Sequence, residues 1–228
     1  FKKKDLEPAV KFGDNALSKL SILSNFLYDF GIPEHKSLEI CGMNFSSPLI
    51  GASFKADPKI LDIWMRMGLG GLIFKTIMKE KRKGNAQPRL QDANIENING
   101  LYNSLGLPGM GIEEFLIYLQ ETNLWEYERP LGISIGGNSE SEYTTNLLKL
   151  EPFLKKCNNQ YFYELNISCP NTKNGRTICH DPSLLEILLI NMRKNTDSPL
   201  SVKISPDISN SKIKEIADLC TSFEKIII

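Results

Sequence analysis

Short apolar runs alternate along this chain with segments whose apolar residues recur every three or four positions. The runs are SPLIGAS (47–53), GGLIFKT (70–76), PLGISIGG (130–137), YFYELNISC (161–169), PLSVKISPD (199–207) and EKIII (224–228). Helical spacing marks PKILDIWMRMG (58–68), GIEEFLIYLQET (111–122), SEYTTNLLKLEPFLKKC (141–157), DPSLLEILLINMRKN (181–195) and NSKIKEIADLCTSF (210–223). Strands that are largely apolar and joined by helical crossovers predict a parallel sheet covered by helices. Residues 77–110 are largely polar and read as a long insertion.

Six strands are counted in this pattern. A closed (β/α)8 barrel has eight strands and about 250 residues. The expected fold is therefore α/β, a TIM-type barrel represented by its first six strands. A complete open sheet fits less naturally, because no helix follows the last strand.

Composition narrows the partners. The chain has 228 residues, and 27 basic residues balance 27 acidic ones, so no net basic field points to nucleic acid. The cluster KEKRKGN (79–85) reads as a solvated loop rather than a phosphate contact. No apolar run approaches the roughly 18 residues needed to span a bilayer, and no signal peptide is visible. The chain opens on Phe1, so a preceding segment stays open. Five widely spaced cysteines in a chain of this size suggest reduced thiols and a cytosolic setting. Cys157 and Cys220 read as core or half-buried thiols. No CxxC pair exists and His35 lies far from His180, so no metal site is expected.

In a parallel barrel, chemistry sits at the C-terminal ends of the strands. Those ends hold Ala52 and Ser53, then Lys75 and Thr76, then Ser134 with Gly136, Gly137 and Asn138. They continue with Asn166, Ser168 and Cys169, and with Lys203. A lysine inside an apolar strand either snorkels outward or meets an anion or carbonyl oxygens. Two such lysines and two asparagines on one rim predict an electron-rich, hydrogen-bonding ligand.

Four motifs, in order, resemble the dihydroorotate dehydrogenase family of FMN-dependent barrels. FKTIMKEKRKGNAQPRL (74–90) resembles the family's lysine strand and its GNxxPR segment. YNSLGLPGMG (102–111) is similar to the substrate loop, NISCPNT (166–172) to the catalytic loop, and VKISPD (202–207) to the strand of the second flavin lysine. The resemblance implies that Cys169 takes a proton from the dihydroorotate ring while hydride passes to FMN. It implies that Lys75 contacts both flavin and substrate and that Lys203 lies beside the flavin's pyrimidine edge. Ala52, Ser53, Thr76, Ser134 and Asn166 fall among the cofactor contacts. Asn103, Asn166 and Asn171 match groups that hydrogen-bond the substrate, and Leu105, Gly106 and Leu107 match its backbone and apolar contacts. Gly84, Asn85, Pro88 and Arg89 fit the loop pattern; ordinary turn chemistry and a surface arginine are the plainer reading.

The chain mixes two classes of that family. The soluble class has cysteine as base, and the quinone-reducing class has serine there. Residues 1–36 nevertheless resemble the quinone class's N-terminal helices, with residues 37–228 as the N-terminal part of the FMN-binding barrel. Leu17, Leu20, Leu23, Phe26 and Leu27 offer an apolar face for a membrane surface. The alternative is a helix packed over the barrel's bottom. Lys55 stands one place before the quinone-class lysine, so no role is carried onto it. The family's flavin-phosphate site lies in the last strands, so a chain ending at Ile228 is expected to bind FMN poorly.

The leading expectation is oxidation of dihydroorotate to orotate in pyrimidine synthesis. A related dihydropyrimidine-type FMN dehydrogenase is the near alternative, and NSLGLPG argues against it. A non-catalytic ligand-binding relative is the distant one, and retention of Cys169, Lys75 and Lys203 argues against that. Fumarate, quinone and an iron–sulfur partner subunit are all open as electron acceptors. The soluble class implies a homodimer. The expected location is the cytoplasm, with the extension raising peripheral contact with the inner membrane.

Overall fold

A computed structural model describes residues 5–157, 159–168 and 178–228. The extension forms helices α1 (Glu7–Leu20) and α2 (Ser24–Leu27), followed by a hairpin of β1 (Leu38–Ile40) and β2 (Met43–Phe45). The barrel portion then runs β3 (Ile50–Gly51), α3 (Pro58–Arg66) and β4 (Gly71–Ile77). A second hairpin, β5 (Leu90–Ile95) and β6 (Ile98–Asn103), precedes α4 (Ile112–Glu121) and β7 (Leu131–Ile135). The remainder is α5 (Glu140–Leu154), β8 (Tyr161–Asn166), α6 (Pro182–Arg193), β9 (Leu200–Lys203), α7 (Asn210–Cys220) and β10 (Ile226–Ile227).

Six of these strands form one curled parallel sheet in the order β10-β9-β8-β7-β4-β3. These are the six strands expected from the apolar runs. The crossover helices start on sequence signals. Asp57 and Asp181 each accept two backbone N–H bonds at an N-cap, and each is followed by proline at the first helical position.

Side chains alternate across the sheet. Leu72, Phe74, Ile133, Tyr163, Leu165 and Val202 face the helices and are buried with them in the main core. The opposite, concave face changes character along the strands. At its lower end Ile73 pairs in register with Gly132, and Gly132 with Phe162. A Cβ on Gly132 would come within 2.5 Å of the Phe162 ring, so glycine makes room for the aromatic. One layer up, Ser134, Glu164 and Ser201 are in register. At the upper end Asn166 is in register with Lys203. Asn166 and Ser168 end their strand because they belong to the concave face, where polarity rises toward the rim. Leu165 and Ile167 belong to the helix-facing core.

The lower mouth is closed by the first hairpin, whose Met43 and Phe45 pack with Phe162. Among the described residues the extension runs beside α3 instead of across that mouth, which corrects the alternative of a helix packed over the bottom. It starts at the upper rim, where the Leu6 N–H donates to the Leu90 carbonyl at 2.9 Å. It descends beside α3, and the Phe30 N–H reaches the Arg66 carbonyl at 3.1 Å. The polar insertion contains β5 and β6 in a regular antiparallel pair, two strands that the apolar runs did not mark. Among the described residues no helix is long and apolar enough to cross a membrane.

Candidate active site

The upper ends of the strands and the 103–108 loop enclose a cavity of about 470 Å³. Lys75 and Lys203 line it from β4 and β9, Asn166 and Ser168 from the end of β8, and Asn103 from the end of β6. Ser53, Thr76, Leu105 and Leu107 complete the expected residues found there. Ala52 stands exposed just before Ser53. Ser134 is fully buried beneath the floor. Gly106 packs behind the loop, where a Cβ would meet the Asn85 backbone N and Oδ1 at 2.6 Å. Its φ of 74° also favours glycine. Cys169, Pro170 and Asn171 lie outside the described residues.

The floor is a buried hydrogen-bond network. The Asn166 amide donates to Thr76 Oγ1 at 2.8 Å, and Thr76 Oγ1 lies 2.9 Å from Ser134 Oγ. Tyr143 from α5 donates to the Asn166 carbonyl at 2.9 Å. Asn166 is 4% exposed, so these bonds set which way its amide faces. The network explains why small hydroxyl residues sit on neighbouring strands.

Lys75 is half-buried. Burial holds its ammonium below the ordinary lysine pKa, Arg89 and Lys55 push the same way, and Glu7 opposes them. A desolvated cation facing a cavity attracts an anion more strongly than one in water. The described residues lining the cavity include no carboxylate. Two lysines and two amides suit a flat, electron-rich, hydrogen-bonding ligand.

Sequence reasoning missed Phe54, Ser104 and Pro108, which also line the cavity. Ser104 and Pro108 lay within the quoted substrate-loop motif, whereas Phe54 had no signal. Arg89 is not the surface arginine of the plainer reading: its side chain is 12% exposed and paired with Glu7. Lys55 is bound to Asp14 of α1 at 2.6 and 2.7 Å. A second cavity of about 270 Å³ lies between α1 and the rim and shares Phe54, Lys75, Leu105 and Pro108 with the first.

A family profile described as dihydroorotate dehydrogenase covers residues 36–228. The catalytic subunit of a dihydroorotate dehydrogenase B (NAD(+)) from Pyrococcus horikoshii is 33% identical over 177 residues, 76% of this chain and 54% of that protein. A dihydroorotate dehydrogenase (quinone) from Thermus thermophilus is 31% identical over 190 residues, 80% of this chain and 52% of that protein. A relative from Aquifex aeolicus bears the fumarate-class name and is 31% identical over 187 residues, 81% of this chain and 58% of that protein. The chain thus spans about half the length of the curated relatives it matches. A crystal structure of DHODH from Eimeria tenella in complex with ferulenol has a TM-score of 0.75 at 20% identity. It covers 93% of this chain and 63% of its own. That likeness shows the fold, and the profile spans the strand ends that carry the two lysines and the amide floor. The chain belongs to the dihydroorotate dehydrogenase family.

Proposed function

We propose that the protein oxidises dihydroorotate to orotate. The ring loses one hydride and one proton, and a C=C bond forms between the two carbons that lose them. Bound FMN supplies the hydride acceptor. Lys75 and Lys203 offset the negative charge that gathers at the rim during transfer. Asn103 and Asn166 offer donor and acceptor groups to the alternating edge of the pyrimidine-dione, and Asn171 is assigned the same role from its place in the NISCPNT motif alone. Cys169, next in the chain to Ser168, takes the proton; its thiol serves once its pKa lies near the working pH.

The observation that carries this reading is the convergence of Lys75, Lys203, Asn103 and Asn166 on one cavity. Adding dihydroorotate without oxygen to the flavin-loaded full-length protein tests it. Bleaching of the visible flavin band is expected. A band that persists would reject this substrate.

One observation favours quinone as acceptor. Phe12, Ile22, Phe26 and Phe30 of the extension are 77%, 89%, 89% and 53% exposed, and Leu20, Leu23 and Leu27 stand exposed with them. Such a patch suits contact with a lipid surface from the cytoplasmic side. Reoxidation by a quinone in detergent is expected to outrun reoxidation by fumarate. The reverse order would overturn the assignment.

A further inference from the structure

Arg89 joins three pieces of chain. Its guanidinium forms a fork with Glu7 of α1, Nε to Oε2 at 3.0 Å and Nη2 to Oε1 at 2.9 Å. Its Nη1 donates to the carbonyls of Lys83 at 2.7 Å and Asn85 at 3.1 Å. Its own carbonyl accepts from the Ser104 N–H at 2.9 Å, one residue after Asn103. Glu7 also accepts from the Gln87 side chain at 2.5 Å. The paired side chains are 12% and 13% exposed. A two-pronged fork fixes one geometry of both side chains.

The substrate-facing loop is built on the same hub. The Asn85 N–H donates to the Leu105 carbonyl at 3.0 Å, and the Asn85 amide donates to the Ser104 carbonyl at 2.8 Å. A Cβ on Gly84 would lie 2.3 Å from both Arg89 Nη1 and the Leu105 oxygen, so the two loops and the guanidinium are in direct contact. The start of α1 also binds the neighbouring residue, through the Leu6 N–H and the Leu90 carbonyl, and Leu90 is in register with Asn103.

We propose that Glu7 is a positioning residue for the 470 Å³ cavity. By fixing Arg89 it sets the 103–108 loop that presents Asn103, Leu105 and Leu107. The first turn of α1 then belongs to the working site and is more than an appendage. The proposal rests on the functional reading above only in treating that cavity as the place where dihydroorotate binds.

The experiment compares Glu7→Gln and Glu7→Asp in the flavin-loaded full-length protein, reading amide hydrogen exchange without substrate and then steady-state kinetics. Glu7→Gln is expected to speed exchange at the Ser104 and Asn85 amides by at least about tenfold. It should raise KM for dihydroorotate by about tenfold while kcat stays within about twofold. Glu7→Asp, which keeps the charge, should recover most of both. Arg89→Lys keeps a charge but loses the fork, and should reproduce the loop exchange of Glu7→Gln. Normal protection at Ser104 and Asn85 in either Glu7→Gln or Arg89→Lys would overturn the proposal. So would a fall in kcat with unchanged KM. Because exchange is read before substrate is added, a protein that failed to bleach with dihydroorotate would still decide the loop question.

Discussion

The two mouths of the curled sheet are made by the same strands and line their openings with opposite chemistry. At the lower mouth Ile73, Phe162 and the hairpin residues Met43 and Phe45 exclude water. At the upper mouth Lys75, Asn166 and Lys203 face a cavity. Between them lies the layer of Ser134, Glu164 and Ser201. The lower mouth contributes stability through buried apolar area, and the upper mouth holds groups that are poorly placed for stability and well placed for binding. Substitutions at the two ends should therefore separate folding from chemistry.

Phe162→Ala should give the largest effect. The ring is 2% exposed and sits edge-on to Phe45 with centroids 6.3 Å apart. Its removal beside Gly132 leaves a cavity and is expected to destabilise the protein by about 3–5 kcal/mol in urea denaturation. Turnover per folded molecule should stay within about twofold. A KM that rose as in a rim variant would show that the two mouths are coupled.

Lys75→Met reverses the pattern. Flavin reduction by dihydroorotate should fall by about a hundredfold, or about 2.7 kcal/mol of transition-state stabilisation. The fold itself should be unharmed or slightly stabilised, because burial already disfavours the ammonium. Stopped-flow reduction and a denaturation curve on the same preparation check both. A large loss of stability with normal reduction would move Lys75 from the chemistry to the scaffold.

Thr76→Val lies between the two. Valine keeps the shape but leaves the Asn166 amide and the Ser134 hydroxyl without their shared partner. A cost of about 1–3 kcal/mol in thermal denaturation is expected, together with a higher KM as Asn166 loses its orientation. A neutral outcome on both counts would mean that the floor network does not hold Asn166.

The strands behind this comparison were legible for a local reason. Their helix-facing residues are apolar, and their concave residues turn polar only at the upper end, so Lys75, Asn166 and Lys203 stood out. The hairpin of β5 and β6 was not legible. All six residues of β6 are exposed, so no buried face imposes an alternation. Its turn places Glu96 and Asn97 at φ 51° and 66°, and glutamate is not a residue that announces such a turn. The fork of Arg89 with Glu7 links positions 82 residues apart, and nothing local marks either partner. Ser53, Thr76 and Ser134 were legible as strand ends, whereas the bond between Thr76 and Ser134 required the register of β4 against β7.

The smallest effect is the most diagnostic. In the unfolded chain Lys75 has its ordinary pKa of 10.5, and in the folded protein the value is lower. Between those two values the unfolded state binds more protons than the folded one, so the contribution of Lys75 to stability rises with pH there. Other groups titrate in the same range, so the quantity to measure is the difference between wild type and Lys75→Met in urea midpoint, followed across alkaline pH. That difference should shift in favour of the wild type as pH rises through the window. Activity should run the other way, because the rim needs the ammonium form: flavin reduction should decline as pH passes the lowered pKa. Removing Glu7, whose charge opposes the effect of Arg89 and Lys55 on Lys75, should move both transitions to lower pH. Stability and activity moving together would place the titrating group elsewhere. Opposite movement ties the polar mouth to a cation whose protonation weakens the fold where it serves the reaction.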